Sequence, residues 1–159
     1  MKKYLIAIII IVVLIIIVIL GLNQNQKVEI NKEATLEDIT FNDDKINMYF
    51  FYGSGCAHCK ALFAFLEEHY DEVSKYCNIY AFEVWKNEEN ATIMAAFSDF
   101  FGDNVGSSVP YYIIGDESFS GFSTSMGDKL LNTMKEKYEE KENINNLEEI
   151  INNLKETLY

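Results

Sequence analysis

Between an aromatic segment and an amphipathic one, the chain reads Gly53-Ser54-Gly55-Cys56-Ala57-His58-Cys59-Lys60. No other feature constrains the fold as strongly. Upstream, Ile46–Tyr52 is short, apolar and closed by glycine, the pattern of a buried strand. Downstream, Leu62, Phe65, Leu66, His69 and Val73 recur by threes and fours, which predicts one helix with one buried face. The cysteine pair is therefore expected at a strand-to-helix junction. Unpaired N–H groups and the positive end of the helix dipole stabilise a thiolate at such a position.

Further elements follow from the same periodicities. Residues 79–85 form a second apolar strand, and Asn87-Glu88-Glu89-Asn90 opens a helix through Ile93, Phe97 and Phe101 that Gly102 ends. Residues 109–114 and 118–122 flank Gly115-Asp116-Glu117, a hairpin pattern, and a helix starts near Asp128. The order β-α-β-α-β-β-α predicts an α/β sandwich with helices on both faces of the sheet. Ile144, Leu147, Ile151, Leu154 and Leu158 repeat at 3-4-3-4 spacing, which suits a final helix packed on its own domain or, alternatively, a partner helix.

The N-terminus carries a second, independent signal. Residues 5–22 are an apolar run of 18 residues without a charge. As a helix at ~1.5 Å per residue they would span ~27 Å, close to the ~30 Å hydrocarbon core of a bilayer. Lys2 and Lys3 precede the run, which places the N-terminus inside and the remainder outside the membrane. A cleaved signal peptide is the alternative, but its apolar core is usually ~7–15 residues long and followed by a small-residue cleavage site. The expected division is a signal anchor over 1–22, a linker and lead-in over 23–44, and a folded domain over 45–159. Thr35-Leu36-Glu37-Asp38 has capping-box spacing, so a short helical turn is expected within the lead-in.

Charge excludes some partners. The chain has a net charge of −12 and its basic residues are all lysine, so a nucleic acid backbone would be repelled. Three cysteines in 159 residues are too few for a disulfide-built mini-protein.

The C-x-x-C pair admits three readings. Zinc would need two more ligands, with only His58, His69 and Cys77 at hand. An inert structural disulfide would sit poorly in so short a loop. A redox pair fits best, with Cys56 as the exposed attacking thiol and Cys59 as the buried resolving one. When protonated, His58 adds positive charge beside the Cys56 sulfur, stabilising the thiolate and making the disulfide more oxidising.

With Val109-Pro110 opening the hairpin, these motifs resemble the thioredoxin superfamily over roughly residues 45–140. Cys-x-His-Cys and the valine before proline are more similar to its DsbA-type oxidant branch than to thioredoxin itself. The stretch from Glu83 to Asn90, with Ile113-Ile114-Gly115-Asp116 and Gly121-Phe122, resembles compact thioredoxin-like domains that are membrane-anchored or linked to a vitamin K epoxide reductase.

The resemblance implies a three-layer α/β/α thioredoxin fold with a mixed central sheet, behind the single transmembrane helix. It implies a membrane-anchored, extracytoplasmic thiol–disulfide oxidoreductase without metal or organic cofactor. Its substrates would be exported cysteine-containing proteins, and its redox partner a quinone-coupled oxidase or a transmembrane reductant transporter. It also implies that Pro110 is a cis-proline facing the cysteines, with Val109 and Ala57 lining the substrate site.

Two positions depart from the family pattern. Ala57 stands where many relatives have proline, and Phe50 stands where many have a buried acid that accepts the proton of the buried thiol. Glu83 is the candidate substitute acceptor, with an exposed strand-end carboxylate as the plainer alternative and deprotonation through water as a third. Cys77 is expected to be a buried, unreactive thiol, with a regulatory or intermolecular partner as the alternative, His69 a core or rim residue, and Trp85 a packing residue at the active-site end of the sheet. Rival functions are a reductase of exported disulfides and a non-catalytic thioredoxin-like binding module.

Overall fold

The first strand is apolar on both faces, and this organises the molecule. In β1 (Ile46–Tyr52), Ile46, Met48 and Phe50 join one core, while Tyr49 and Phe51 join a second core on the opposite side of the sheet. β1 pairs in parallel with β2 (Cys77–Glu83) and antiparallel with β3 (Tyr111–Ile114), which pairs antiparallel with β4 (Glu117–Ser120). The strand order is β2-β1-β3-β4. The computed structural model describes residues 11, 12, 30, 33–41, 44–140 and 147–158. Apart from positions 11 and 12, the proposed anchor over 1–22 lies outside the described residues, as does Ile144. Among the described residues no helix is long and apolar enough to cross a membrane.

Among the described residues, five α-helices cover the two faces. Leu62 and Leu66 of α1 (Ala57–Glu68), Val73 of α2 (Tyr70–Tyr76), and Leu130 and Met134 of α4 (Gly127–Glu140) pack into the first core. Ile93, Met94 and Phe97 of α3 (Glu88–Phe101) and Ile151 of α5 (Glu148–Leu158) pack into the second. A mixed sheet with helices on both sides, in this strand order, fits a thioredoxin fold. Asn87 caps α3 by accepting from the N–H groups of Glu89 and Asn90, and Gly102 ends it at a left-handed φ of 68°.

Several boundaries differ from the sequence expectation: β3 starts at Tyr111 rather than at 109, and β4 runs over Glu117–Ser120 rather than 118–122. The helix predicted from Cys56 through Val73 breaks at His69 (φ −99°, ψ 18°) and resumes as α2. The apolar period survives the break because Val73 is still fully buried. β2 runs two residues earlier than expected, so Cys77 lies inside the strand. Its end is set by its neighbour: Tyr52, the last residue of β1, stands opposite Glu83, and the Val84 N–H donates to the Tyr52 carbonyl at 2.9 Å.

The end of the lead-in is not a free linker. Leu36 and Ile39 are buried around a 3-10 turn at Leu36–Asp38, and the Ala34 N–H donates to the Ala81 carbonyl on β2. The Asp38 carboxylate accepts from the Thr35 N–H and hydroxyl, each at 2.9 Å, as the capping-box spacing led one to expect. Leu147 and Ile151 are buried in the second core, so the last helix packs on its own domain.

Candidate functional site

The loop that leaves β1 turns back immediately, with the Cys56 N–H donating to the Gly53 carbonyl at 3.0 Å. Cys56 then caps α1 with its own side chain: Sγ accepts the Cys59 N–H at 3.2 Å. A sulfur in this position receives one of the helix's unpaired donors and the positive end of its dipole, and both stabilise a negative charge. Cys56 and Cys59 are joined as a disulfide, with Cα atoms 5.3 Å apart. Cys59 is 1% exposed, whereas Cys56 is only half-buried. The two sulfurs therefore differ in access: an incoming partner reaches Cys56 and not Cys59.

Val109 and Pro110 come to the same end of the sheet from the chain ahead of β3. The bond between them is cis, and the Val109 carbonyl oxygen lies 3.6 Å from Cys56 Sγ, a contact across 53 positions of sequence. Ala57, the first residue of α1, is exposed beside them. Nδ1 of His58 is 3.0 Å from the Phe122 carbonyl oxygen. A carbonyl can only accept, so Nδ1 carries a proton. The imidazole is thereby held on the rim of the site, tying the start of α1 to the segment after β4.

Glu83 is placed differently from a strand-end carboxylate in water, being only 5% exposed. One oxygen accepts the Ser54 N–H at 2.9 Å and the other the Lys86 N–H at 2.7 Å. Burial by itself would raise the carboxyl pKa; the hydrogen bonds from Ser54, Lys86 and Trp85 outweigh it and hold the carboxyl below its ordinary value. A carboxylate so stabilised is a weaker base, and what it visibly does is clamp the loop that presents Cys56. Phe50, where the resemblance in sequence led one to look for an acid, is fully buried against Phe63 and Tyr52.

The remaining candidates lie apart from the dithiol. Cys77 is buried at the start of β2, and burial pushes its thiol well above the ordinary range, which makes it a poor nucleophile. His69 packs against Phe65 at a centroid distance of 4.3 Å, the rings tilted by 40°. Among the described residues no three His, Cys, Asp or Glu side chains are grouped to hold a metal ion. Trp85 does lie at the active-site end, yet it is 51% exposed rather than packed away.

The sequence reading did not find Ser54 and Lys86 as the partners of Glu83, the Phe122 carbonyl, or the Ser107 carbonyl, which accepts from Trp85 Nε1 at 3.2 Å. Most of these groups are backbone atoms met across long stretches of chain, for which no residue pattern is a signal.

A mixed sheet of this order, carrying a disulfide-capable pair at a helix N-terminus beside a cis-proline, suggests thiol–disulfide redox chemistry. No protein-family model matches the sequence, and no curated protein matches it either. Among solved structures, a glutaredoxin from Archaeoglobus fulgidus is similar at 19% identity and a TM-score of 0.39, over 71% of this chain and 99% of that one. So slight a likeness carries no weight beside the geometry of the chain's own site.

Proposed function

We propose that the chain is a membrane-anchored thiol–disulfide oxidoreductase acting outside the cytoplasm on exported proteins. One observation carries the reading: Cys56 Sγ is at once disulfide-bonded, half-buried, bonded to an N–H of α1, and beside the Val109 carbonyl that precedes the cis-proline. In the direction of disulfide donation, a substrate thiolate attacks Cys56 Sγ. The substrate–Cys56 bond forms, the Cys56–Cys59 bond breaks, and its electron pair leaves on Cys59 Sγ. A second substrate thiolate then attacks the substrate sulfur and releases Cys56 as a thiolate, so the substrate loses two electrons and the pair gains them.

Groups that stabilise the Cys56 thiolate favour the reduced pair and make the disulfide more oxidising. The Cys59 N–H and the α1 dipole do this, and His58 adds to it when protonated. Glu83 acts by fixing the loop rather than by taking a proton. Val109 and Pro110 present backbone to an extended substrate segment, with Ala57 at its edge. The two sulfurs hold both electrons, so the reaction as proposed calls on no metal or organic cofactor. Residues 1–22 tether the domain, and the electrons leave through a membrane thiol carrier, for which a quinone-coupled oxidase is the fitting partner. A transmembrane reductant transporter would serve the reverse direction.

The test is a redox titration of the full-length protein in detergent, across graded glutathione buffers, with the Cys56–Cys59 state read by alkylation mass shift. A potential near about −120 mV is expected of a disulfide donor, and one near about −270 mV would reverse the direction to reductase. A pair that never titrates would refute the enzyme reading and leave a binding module.

A further inference from the structure

Trp85 is the chain's one tryptophan, and half of it faces solvent. It is nevertheless fixed. Nε1 donates to the Ser107 carbonyl at 3.2 Å, and the ring lies so close over Gly53 that a Cβ there would run into the indole. These two anchors belong to the two loops that hold the reacting sulfur. Gly53 receives the Cys56 N–H, and Ser107 stands two residues before Val109, whose carbonyl faces Cys56 Sγ. The indole thus bridges the cysteine loop and the cis-proline loop beside Cys56, the more accessible sulfur of the pair. Its one polar atom is engaged, so the exposed part presents carbon and a π face. Residues of an extended segment advance ~3.3 Å each, so a segment that reacts at Cys56 and lies along these two loops would bring a flanking side chain to this ring.

We propose that Trp85 is a substrate-positioning residue that takes an apolar or aromatic side chain flanking the reacting cysteine of an extended protein segment. The proposal rests on the thiol–disulfide reading above and adds a substrate class to it.

The test compares two thiol peptides that differ only in the neighbour of their cysteine, Phe or Gly, as reductants of the Cys56–Cys59 disulfide in the full-length protein. Rates are read by alkylation mass shift, with reduced glutathione as a small-thiol reference. The wild type is expected to favour the Phe peptide by about ten-fold, the size of one aromatic contact. Trp85→Ala brings that ratio to about one. Trp85→Phe, which keeps a ring but loses the bond to Ser107, retains most of it.

A wild type without preference overturns the proposal. So does a Trp85→Ala variant that keeps the ratio while slowing both peptides, since that marks a prop for the loops and no substrate contact. A Lys-flanked peptide that outruns the Phe peptide overturns the apolar class. A wild-type disulfide inert to glutathione as well refutes the redox reading itself, and this proposal with it.

Discussion

Replacing Glu83 with glutamine preserves the size of the side chain and removes one of its two acceptors. In the native protein the two carboxylate oxygens receive separate backbone N–H groups, from Ser54 at 2.9 Å and Lys86 at 2.7 Å, at a site 5% exposed. Glutamine offers one oxygen and an NH₂. One of the two amides would then face a donor instead of a charge. A hydrogen bond to a charged group contributes ~1.5–3 kcal/mol and an orphaned buried donor costs ~1–3 kcal/mol, so a loss of about 3 kcal/mol is expected. Urea unfolding at pH 7, followed by far-ultraviolet circular dichroism, measures it.

Acid supplies a second reading of the same clamp. The folded-state pKa of Glu83 lies below its ordinary value, so its stabilisation is fully present above the unfolded-state pKa near 4.5 and is lost as pH falls through the folded value. The stability gap between wild type and Glu83→Gln is therefore flat from neutral pH down to about pH 5 and narrows below it. A gap under about 0.5 kcal/mol at neutral pH, the usual scatter of surface substitutions, would refute the clamp argument. So would a gap that stays constant into strong acid. If Glu83 instead served as the proton acceptor, the variant would keep its stability and lose about a hundred-fold in the rate of resolution by Cys59.

Other perturbations address other links in the argument. Cys59→Ser should accumulate a mixed disulfide with an oxidised substrate, visible on non-reducing gels, while Cys56→Ser should form none; equal trapping by both would refute the division of roles that their unequal burial implies. Ile151→Ala should cost about 2–5 kcal/mol, because it removes a fully buried side chain from the second core. The loss should not depend on protein concentration, whereas a concentration-dependent loss would assign α5 to a partner interface. Gly102→Ala places a Cβ at a φ of 68° and should cost about 1 kcal/mol in thermal or urea unfolding. Removing residues 1–22 should release the protein from carbonate-washed membranes; a full-length chain already in the soluble fraction would refute the anchor.

The features legible in the sequence share one property: their signals are carried by residues a few positions apart. The apolar run of β1, the capping spacing at Thr35 and Asp38, the N-cap at Asn87 and the glycine at 102 each bias the backbone locally, and the folded chain uses all of them. Where neighbours in space decided, the reading slipped. The end of β2 depends on the length of β1 beside it, and the helix after Cys56 tolerates a break at His69 because Val73 still reaches the core.

The site divides along the same line. A dithiol at a strand-to-helix junction, with a histidine inside it, is written in eight consecutive residues, and the capping chemistry of Cys56 follows from that spacing. The tertiary structure alone decided what surrounds the sulfur: the Val109 carbonyl from 53 positions away, the Phe122 carbonyl at His58 from 64, and the carboxylate under Ser54 from 29. It also made Trp85, expected as a packing residue at that end of the sheet, a half-exposed bridge between two loops. Local spacing chooses a residue's own backbone conformation, but which distant backbone atom it meets depends on how strands and helices pack, and single residues carry no mark of that.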